Sequence, residues 1–600
     1  MSDKKILTRE EAKKAYPEKI WAIEDIYASD RLWEDDLVKL KGYSEKAVSY
    51  KGKLSNAENL FSYMKIQDEL TYLISNLINY AQRKSDEDAG EGKYQDMCAR
   101  LMSVLSDYFA AASFETPEII SIDEEKYQGL FKEKKELEVY RRYLDRVRTQ
   151  KEHTLSEEAE TVIALAGDVT QQADNIYNMF SNADLTFEDA VDSEKKRHVL
   201  TSGTYISLVQ SKDRTLRKSA FENLYKSYKN FSNTTAAILN SQIKSLVFKS
   251  KARKYNSNLE ASLSATEVPV KVYKNLIETV HNNMKPMYEY VDLRKKILGV
   301  NELHMYDLYT PLIPDSDEKI SYEEAVETVL KALEPLGEEY ISILKKGFSE
   351  RWIDVYENKG KCSGAYSAGA FCHPFVLLNY DENLESMFTI AHEMGHALHS
   401  YFSNKNQIPV NSEYVIFVAE VASTCNEALL MQYLLKNTED KNKKAYLINY
   451  FLEQFRTTLY RQTMFAEFEL KINEYCETGG GLTAEFLNST YKELNKLYFG
   501  DGVVIDDEIQ YEWSRIPHFY YDFYVFQYAT GYSAAIALSQ RILSGNTEMR
   551  DDYLKFLTEG CLYDPITLLR HAGVDMESKE PVEKALKLFA ELVEELKELQ

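Results

Sequence analysis

His392-Glu-Met-Gly-His396 sets two histidines four positions apart, with a glutamate beside the first. On an α-helix, positions i and i+4 lie about 40° apart, so both imidazoles leave one face, one turn apart. That spacing lets two nitrogens reach one Zn²⁺ at about 2 Å. Glu393 sits about 100° round the helix, beside the metal rather than on it, and suits the role of general base toward an activated water. The preceding Ser386-Met-Phe-Thr-Ile-Ala391 is an apolar run suited to a buried helix.

A catalytic zinc needs a third protein ligand and one open position. The pattern HExxHxxGxxH is excluded, because His399 occupies its glycine position and Phe402 its last histidine position. His399 shares the face of His392 but lies about 10 Å along the axis, so it reads as a polar neighbour. The stretch from Tyr414 to Leu430 offers carboxylates instead. Glu420 is an acid in an otherwise apolar run, and a buried carboxylate needs a partner, which a metal supplies. The alternative is a residue at a helix boundary. Glu427, seven positions on and on nearly the same face, suits a hydrogen bond to a ligating histidine's other N–H and is next in line as a ligand.

Further along, His518, Tyr521, Tyr524 and Tyr528 fall within about 120° of one face if a helix starts near Pro517. Facing a zinc, such donors stabilise an oxyanion. Tyr520 and Tyr532 are rivals, and with 44 tyrosines in the chain an aromatic packing face is the alternative. Gly364-Ala365-Tyr366 resembles the start of a serine-hydrolase elbow, but Ala365 stands where that motif needs glycine. The segment is read as a strand edge able to hydrogen-bond a peptide main chain. Neither GxxxxGK[ST] nor GxGxxG occurs, so nucleotide binding is not indicated.

These residues must be carried by a mostly α fold. Gly (23) and Pro (12) are scarce, and most of the chain has 3.6-residue periodicity. Helices are expected over about Ala57 to Arg83, Ile238 to Val247, Tyr273 to Leu298, Tyr322 to Ile343 and Glu382 to Phe402, with an amphipathic helical start from Met1 to Leu40. Between Trp352 and Tyr380, aromatic and β-branched residues separated by glycines predict a small sheet near the zinc site. Gly479–481 and Gly500–502 mark turns, read as surface loops with a hinge as the alternative.

Six hundred residues exceed one compact core, so two or more lobes are expected. Net charge is 72 − 96 = −24, which argues against nucleic acid. No secretory h-region and no run of 18 apolar residues is visible, so no membrane partner is expected. Six sparse cysteines without a CxxC pair read as reduced thiols in the cytoplasm.

The chain resembles the oligoendopeptidase F branch of the thimet oligopeptidase family. The resemblance is carried by Phe388 to Ser400, Phe417 to Glu427, Gly364 to Ser367, Arg515 to Gly531 and Trp21 to Tyr27, and it runs over essentially the whole chain. It implies two helical lobes around a deep substrate channel and internal cleavage of short peptides. It also implies an N-terminal helical region (1–200) containing the oligopeptidase F N-terminal domain, and a catalytic domain (201–600). Glu420 becomes the third ligand of one zinc ion per chain. Where thimet oligopeptidase has Pro-Ser-Gln after that glutamate, this chain has Ala422-Ser-Thr424, which favours the F branch. Two rival readings remain: a zinc carboxypeptidase using Arg515 for the terminal carboxylate, and a peptide-binding protein with a structural metal. The second conflicts with Glu393, since a structural site closes with four ligands and needs no base.

Overall fold

The computed structural model describes residues 6–313 and 319–600. Helix accounts for 72% and strand for 3%, which is the mostly α class that few glycines and prolines dictate. The chain forms two compact units. One comprises Met1–Glu152, Asp317–Tyr433 and Leu538–Val574; the other comprises His153–Ser316, Leu434–Ala537 and Asp575–Gln600. Each unit draws on three separate stretches, so these units and a linear division near residue 200 describe different things. Among the described residues, no helix is long and apolar enough to cross a membrane.

The first unit begins with short helices rather than one amphipathic helix. Arg9–Ala15 ends before Pro17, and Asp30–Lys41 follows after two 3₁₀ turns. Helix α1 (Ala57–Glu87) is capped by Asn56, whose side chain accepts from the Asn59 amide at 3.1 Å. It packs with α2 (Gly92–Ala112). Three short strands follow: β1 (Ile353–Asp354), β2 (Tyr366–Ala368) and β3 (Phe375–Leu377). Their order is β1-β3-β2, with β1 parallel and β2 antiparallel to β3. The registers are Ile353 opposite Val376 and Ser367 opposite Val376. Strand β2 is therefore bonded on one side and forms an edge.

This sheet shares its core with the N-terminal region. Trp21, Trp33, Leu60 and Leu77 belong to one buried cluster with Ala370, Phe375 and Leu377. Trp21 lies edge-on to Phe375 at 6.3 Å, and its indole N–H donates to Glu87 Oε1 at 2.9 Å. A buried ion cluster reinforces the contact. Arg9 Nη2 lies 2.6 Å from both Glu87 Oε1 and Asp354 Oδ2, and Lys361 Nζ lies 2.7 Å from Asp354 Oδ1. Two helices after the sheet complete what positions the site, α3 (Leu384–Asn406) and α4 (Ile416–Asn437).

The second unit contains Ser232–Ala252, the long helices flanking a π-helical turn at Phe455–Tyr460, and two two-stranded ribbons. Two helices expected as continuous are broken. The Tyr273 to Leu298 stretch is two helices, Val270–Asn282 and Lys285–Leu298, because Pro286 cannot continue the first and instead sits in the opening turn of the second. In the first unit, Tyr322 to Ile343 likewise splits into Tyr322–Ala332 and Glu338–Ser349, around Pro335 and Gly337 at φ 88°. The Gly479–481 turn is fastened by Lys244 Nζ, which donates to the Gly480 carbonyl at 2.8 Å.

Candidate active site

Asn383 caps α3 by accepting from the Ser386 amide at 2.8 Å, and Phe388, Ile390, Met394, Leu398 and Phe402 bury its apolar face. His392 and His396 then project together, their Nε2 atoms 3.2 Å apart. Glu420 comes from α4, its Oε2 lying 3.5 Å from the Nε2 of each histidine. Four ligands at about 2.0–2.1 Å in a tetrahedron put neighbouring donor atoms about 3.3–3.4 Å apart. The observed triangle has the size of one tetrahedral face, so these residues fit a zinc ion with one position left over. Among the described residues, this is the one set of three His, Cys, Asp or Glu donors close enough to share a metal.

The surrounding residues fix that triangle. His392 Nδ1 lies 2.6 Å from Glu427 Oε1, so Nδ1 carries a proton and donates it to that carboxylate, and Nε2 is the ring atom turned toward the other donors. Desolvation opposes charge on His392, yet the Glu427 carboxylate and those of Glu393 and Glu420 raise its pKa to about 9. Burial likewise works against an ionised Glu420, but His396 and His392 hold its carboxyl below the usual range. Glu393 is buried, and desolvation pushes its carboxyl up. No protein side chain among the described residues is hydrogen-bonded to that carboxylate.

Two residues essential to this packing carry no chemistry and were not singled out from the sequence. Gly395 lies where α3 and α4 touch backbone to backbone: a Cβ there would stand 2.6 Å from the Ser423 Cα. Asn426 donates from Nδ2 to the Ala391 carbonyl at 3.0 Å and accepts from the Tyr340 hydroxyl at 3.0 Å. A glycine inside a helical stretch was the available signal for the first. His399 is buried, stacked on Tyr414 at 3.6 Å, and its pKa is pushed down to about 3 by burial, so it stays neutral outside the donor set.

The edge strand is prepared locally. Asn379 Nδ2 donates to the carbonyls of Cys362 and Gly364, both at 2.9 Å. Gly364 adopts φ 80°, open to glycine without strain. The Tyr366 hydroxyl donates to Asp86, and the Arg83 guanidinium lies 4.8 Å over its ring.

In the second unit, no helix starts at Pro517. A 3₁₀ turn covers Pro517–Tyr520, Asp522 and Phe523 take positive φ, and α5 (Phe526–Leu543) begins only at Phe526. The kink is held by Gln242, which donates to the Tyr520 carbonyl and Asp522 Oδ1, and by Glu469, which accepts from the Phe523 amide at 2.6 Å. The kink, not a helix face, gathers the rings. Tyr521, Tyr524 and Tyr528 lie 5.7, 6.3 and 5.9 Å from the His518 ring, and His518 Nε2 is 3.4 Å from the Tyr528 hydroxyl. Desolvation lowers the His518 pKa. Tyr520 stacks on Tyr177 and Tyr532 packs on Phe455, both buried away from this group. Arg515 donates from Nη2 to Glu512 at 3.1 Å and from Nε to the Tyr225 hydroxyl at 3.3 Å.

A mostly helical protein with a His-His-Glu donor set on two touching helices belongs to the HExxH metallopeptidases. The chain is a member of peptidase family M3, whose family model matches residues 207–588, and a second model, Oligopeptidase F, matches 118–187. It is 44% identical to oligopeptidase PepF of Bacillus subtilis over 97% of this chain and 87% of that one. It is 39% identical to an oligoendopeptidase F homolog of Lactococcus lactis, over 96% of this chain and 97% of that one. The crystal structure of oligoendopeptidase-F from Enterococcus faecium superposes with a TM-score of 0.74 at 36% identity, covering 95% of this chain and 99% of that chain. The protein is thus a metalloendopeptidase.

Proposed function

We propose that this enzyme hydrolyses internal bonds of short oligopeptides with one zinc ion held by His392, His396 and Glu420. The observation that carries the proposal is the donor triangle of 3.2, 3.5 and 3.5 Å beside an unbonded, buried Glu393. Zinc, when bound, supplies a Lewis acid for the scissile carbonyl and lowers the pKa of water toward about 7. Glu393 accepts the proton from the attacking water and passes it to the leaving amine as the C–N bond breaks. Glu427 keeps His392 in the tautomer that presents Nε2. Gly364, Ala365 and Tyr366 hold the substrate main chain at the edge of β2. His518 with Tyr521, Tyr524 and Tyr528 donates to the developing oxyanion. The oligopeptide substrates are supported by the names of the relatives, and the linear modules 1–200 and 201–600 by the two family models either side of residue 200. The sparse cysteines, six in 600 residues with no CxxC pair, support a reducing, cytoplasmic setting.

The test uses end-blocked peptides, which a carboxypeptidase cannot use. Purified wild type should carry about one zinc per chain and cut them internally, and a chelator should stop it. Glu393→Gln should keep its zinc and lose most turnover, whereas Glu420→Ala should lose zinc. Near wild-type turnover by Glu393→Gln refutes the mechanism. Tyr524→Phe and Tyr528→Phe test the oxyanion role: loss of one donor lowers kcat by about 10²–10³ with KM and zinc content little changed.

A further inference from the structure

Helix α3 and strand β2 run side by side past the metal donors, with a cavity at each end of that stretch. At one end, Gly364 and Ala365 share a cavity of ≈ 370 Å³ with Ser386 and Thr389. At the other, Gly369 shares a cavity of ≈ 570 Å³ with Ser400 and Asn404. Gly369 approaches α3 so closely that a Cβ there would stand 3.0 Å from the Ser400 Cβ. Thr389 and Ser400 lie about 16 Å apart along the helix, with His392 and His396 between them. Ala365 to Gly369 spans about 13 Å of extended chain in the same direction. A peptide added to the free edge of β2 therefore crosses the metal donors and reaches the larger cavity about two residues further on.

That cavity has a surface which the proposed chemistry leaves unused. Leu70, Ile74 and Ile78 of α1, Phe109 of α2, Phe371 and Tyr414 supply its apolar walls. Several of the polar groups that line it are bonded to one another. Gln67 Nε2 donates to the Tyr108 hydroxyl at 2.7 Å, Asn79 Nδ2 to the Gly369 carbonyl at 3.2 Å, and the Ser400 and Tyr414 hydroxyls share a bond of 2.8 Å. Glu413 brings the one charge to the lining. Ile78 and Phe109 are 38% and 62% exposed, an apolar rim facing water beside the site.

We propose that this cavity is the subsite that sets residue preference, taking a large aliphatic or aromatic side chain of the substrate about two residues from the scissile bond. The proposal rests on reading β2 as the peptide-binding edge and the donor triangle as a peptidase centre. What it adds is the chemical class of side chain and the residues that select it, most of them from α1 and α2 in the N-terminal region. A side chain that fills such a pocket transfers out of water, whereas alanine leaves it unfilled.

The test compares end-blocked peptides that carry Ala, Leu or Phe, one position at a time, on either side of a single cleaved bond. Thr71 lines the cavity from α1, and its hydroxyl returns to the Gln67 carbonyl at 2.8 Å, so Thr71→Phe fills the space without orphaning a partner side chain. Wild type should favour Leu or Phe over Ala by about tenfold or more in kcat/KM at one position two or three residues from the bond. Thr71→Phe should collapse that ratio at that position alone. Phe371→Ala, which widens the same cavity, should move the preference there from Leu toward Phe and Trp. A folded Thr71→Phe enzyme that keeps the wild-type ratio overturns the proposal, as does a wild type with no apolar preference at any position. Should Thr71→Phe fail to fold, the Phe371→Ala ranking decides, and an unchanged ranking overturns it. A wild type that cuts none of these peptides refutes the endopeptidase reading itself.

Discussion

A methyl group placed on Gly395 would meet the Cα of Ser423 at 2.6 Å and the carbonyl oxygen of Ala422 at 2.8 Å, and backbone atoms cannot swing aside as a side chain does. Gly395→Ala must therefore push α3 and α4 apart, and the separations of Glu420 from the two histidines widen with them. Overpacking at such a contact costs about 1–3 kcal/mol. The expected result is a lower thermal midpoint together with weaker zinc retention on dialysis against a mild chelator; wild-type values for both would show slack at the crossing. The gathering of His392, His396 and Glu420 within 3.5 Å of one another was legible in the sequence, the histidines from their spacing on one helix and Glu420 from an acid in an apolar run together with the family resemblance, while their roles and that of Glu393 belong to the proposed mechanism. Gly395 and Asn426 were not, because their importance depends on which turns of two helices cross, and a single sequence carries no such register. Glu427 falls between these cases: its spacing from Glu420 was readable, while its 2.6 Å approach to His392 needed the packing.

Among the elements, helical periodicity located most of the chain correctly but missed the interruptions. Pro286 and Pro335 were visible as letters, yet the apolar period runs through them, because two helices can share one buried face across a break. The Pro517 to Phe526 segment failed for another reason. Asp522 and Phe523 in positive φ are held by Gln242 and Glu469, residues far away in sequence. Just upstream, the 3₁₀ segment Asp507–Arg515 presents Glu512 to Arg461 at 2.7 Å, Arg515 at 3.1 Å, Tyr491 at 2.6 Å and Tyr225 at 3.1 Å. Burial opposes ionisation of Glu512, but the two guanidiniums hold its pKa down to about 2. A depressed folded-state pKa contributes stability above the unfolded value of about 4.3, lost as pH falls through about 2. Glu512→Gln should thus cost about 3 kcal/mol at pH 7 and pH 5. The gap to wild type should close below about pH 4, because wild-type Glu512 then takes up a proton too. Urea midpoints across that range check it, and a gap independent of pH would mean the carboxylate is not what binds the cluster.

At the scale of the molecule, length alone called for more than one lobe, and a net charge of −24 argued against nucleic acid as a partner. Neither revealed that the N-terminal helices share a core with the sheet beside the metal site. That join rests on Arg9, Glu87, Asp354 and Lys361, spread over some 350 positions, and long-range pairing of this kind leaves no local pattern. Removing one partner from a buried pair costs about 3–5 kcal/mol. Lys361→Met should accordingly lower the thermal midpoint, and it should do so without changing the metal donors themselves.

Net charge makes a separate claim at this scale, about encounter rather than fold. A chain with net charge −24 surrounds itself with negative potential, which attracts cationic peptides and repels anionic ones before any contact forms. The range of that potential falls from about 30 Å at 0.01 M salt to about 8 Å at 0.15 M. Two end-blocked peptides with identical residues around the cleaved bond, one flanked by lysines and one by glutamates, separate steering from recognition. For the lysine peptide kcat/KM should fall as salt rises; for the glutamate peptide it should rise, and the two should converge. Chemistry within the bound complex is shielded from bulk ions, so kcat should change little for either peptide. Parallel salt slopes for the two peptides would show that the acidic charge lies too far from the entry route to be felt, and that binding is governed by the walls of the site alone.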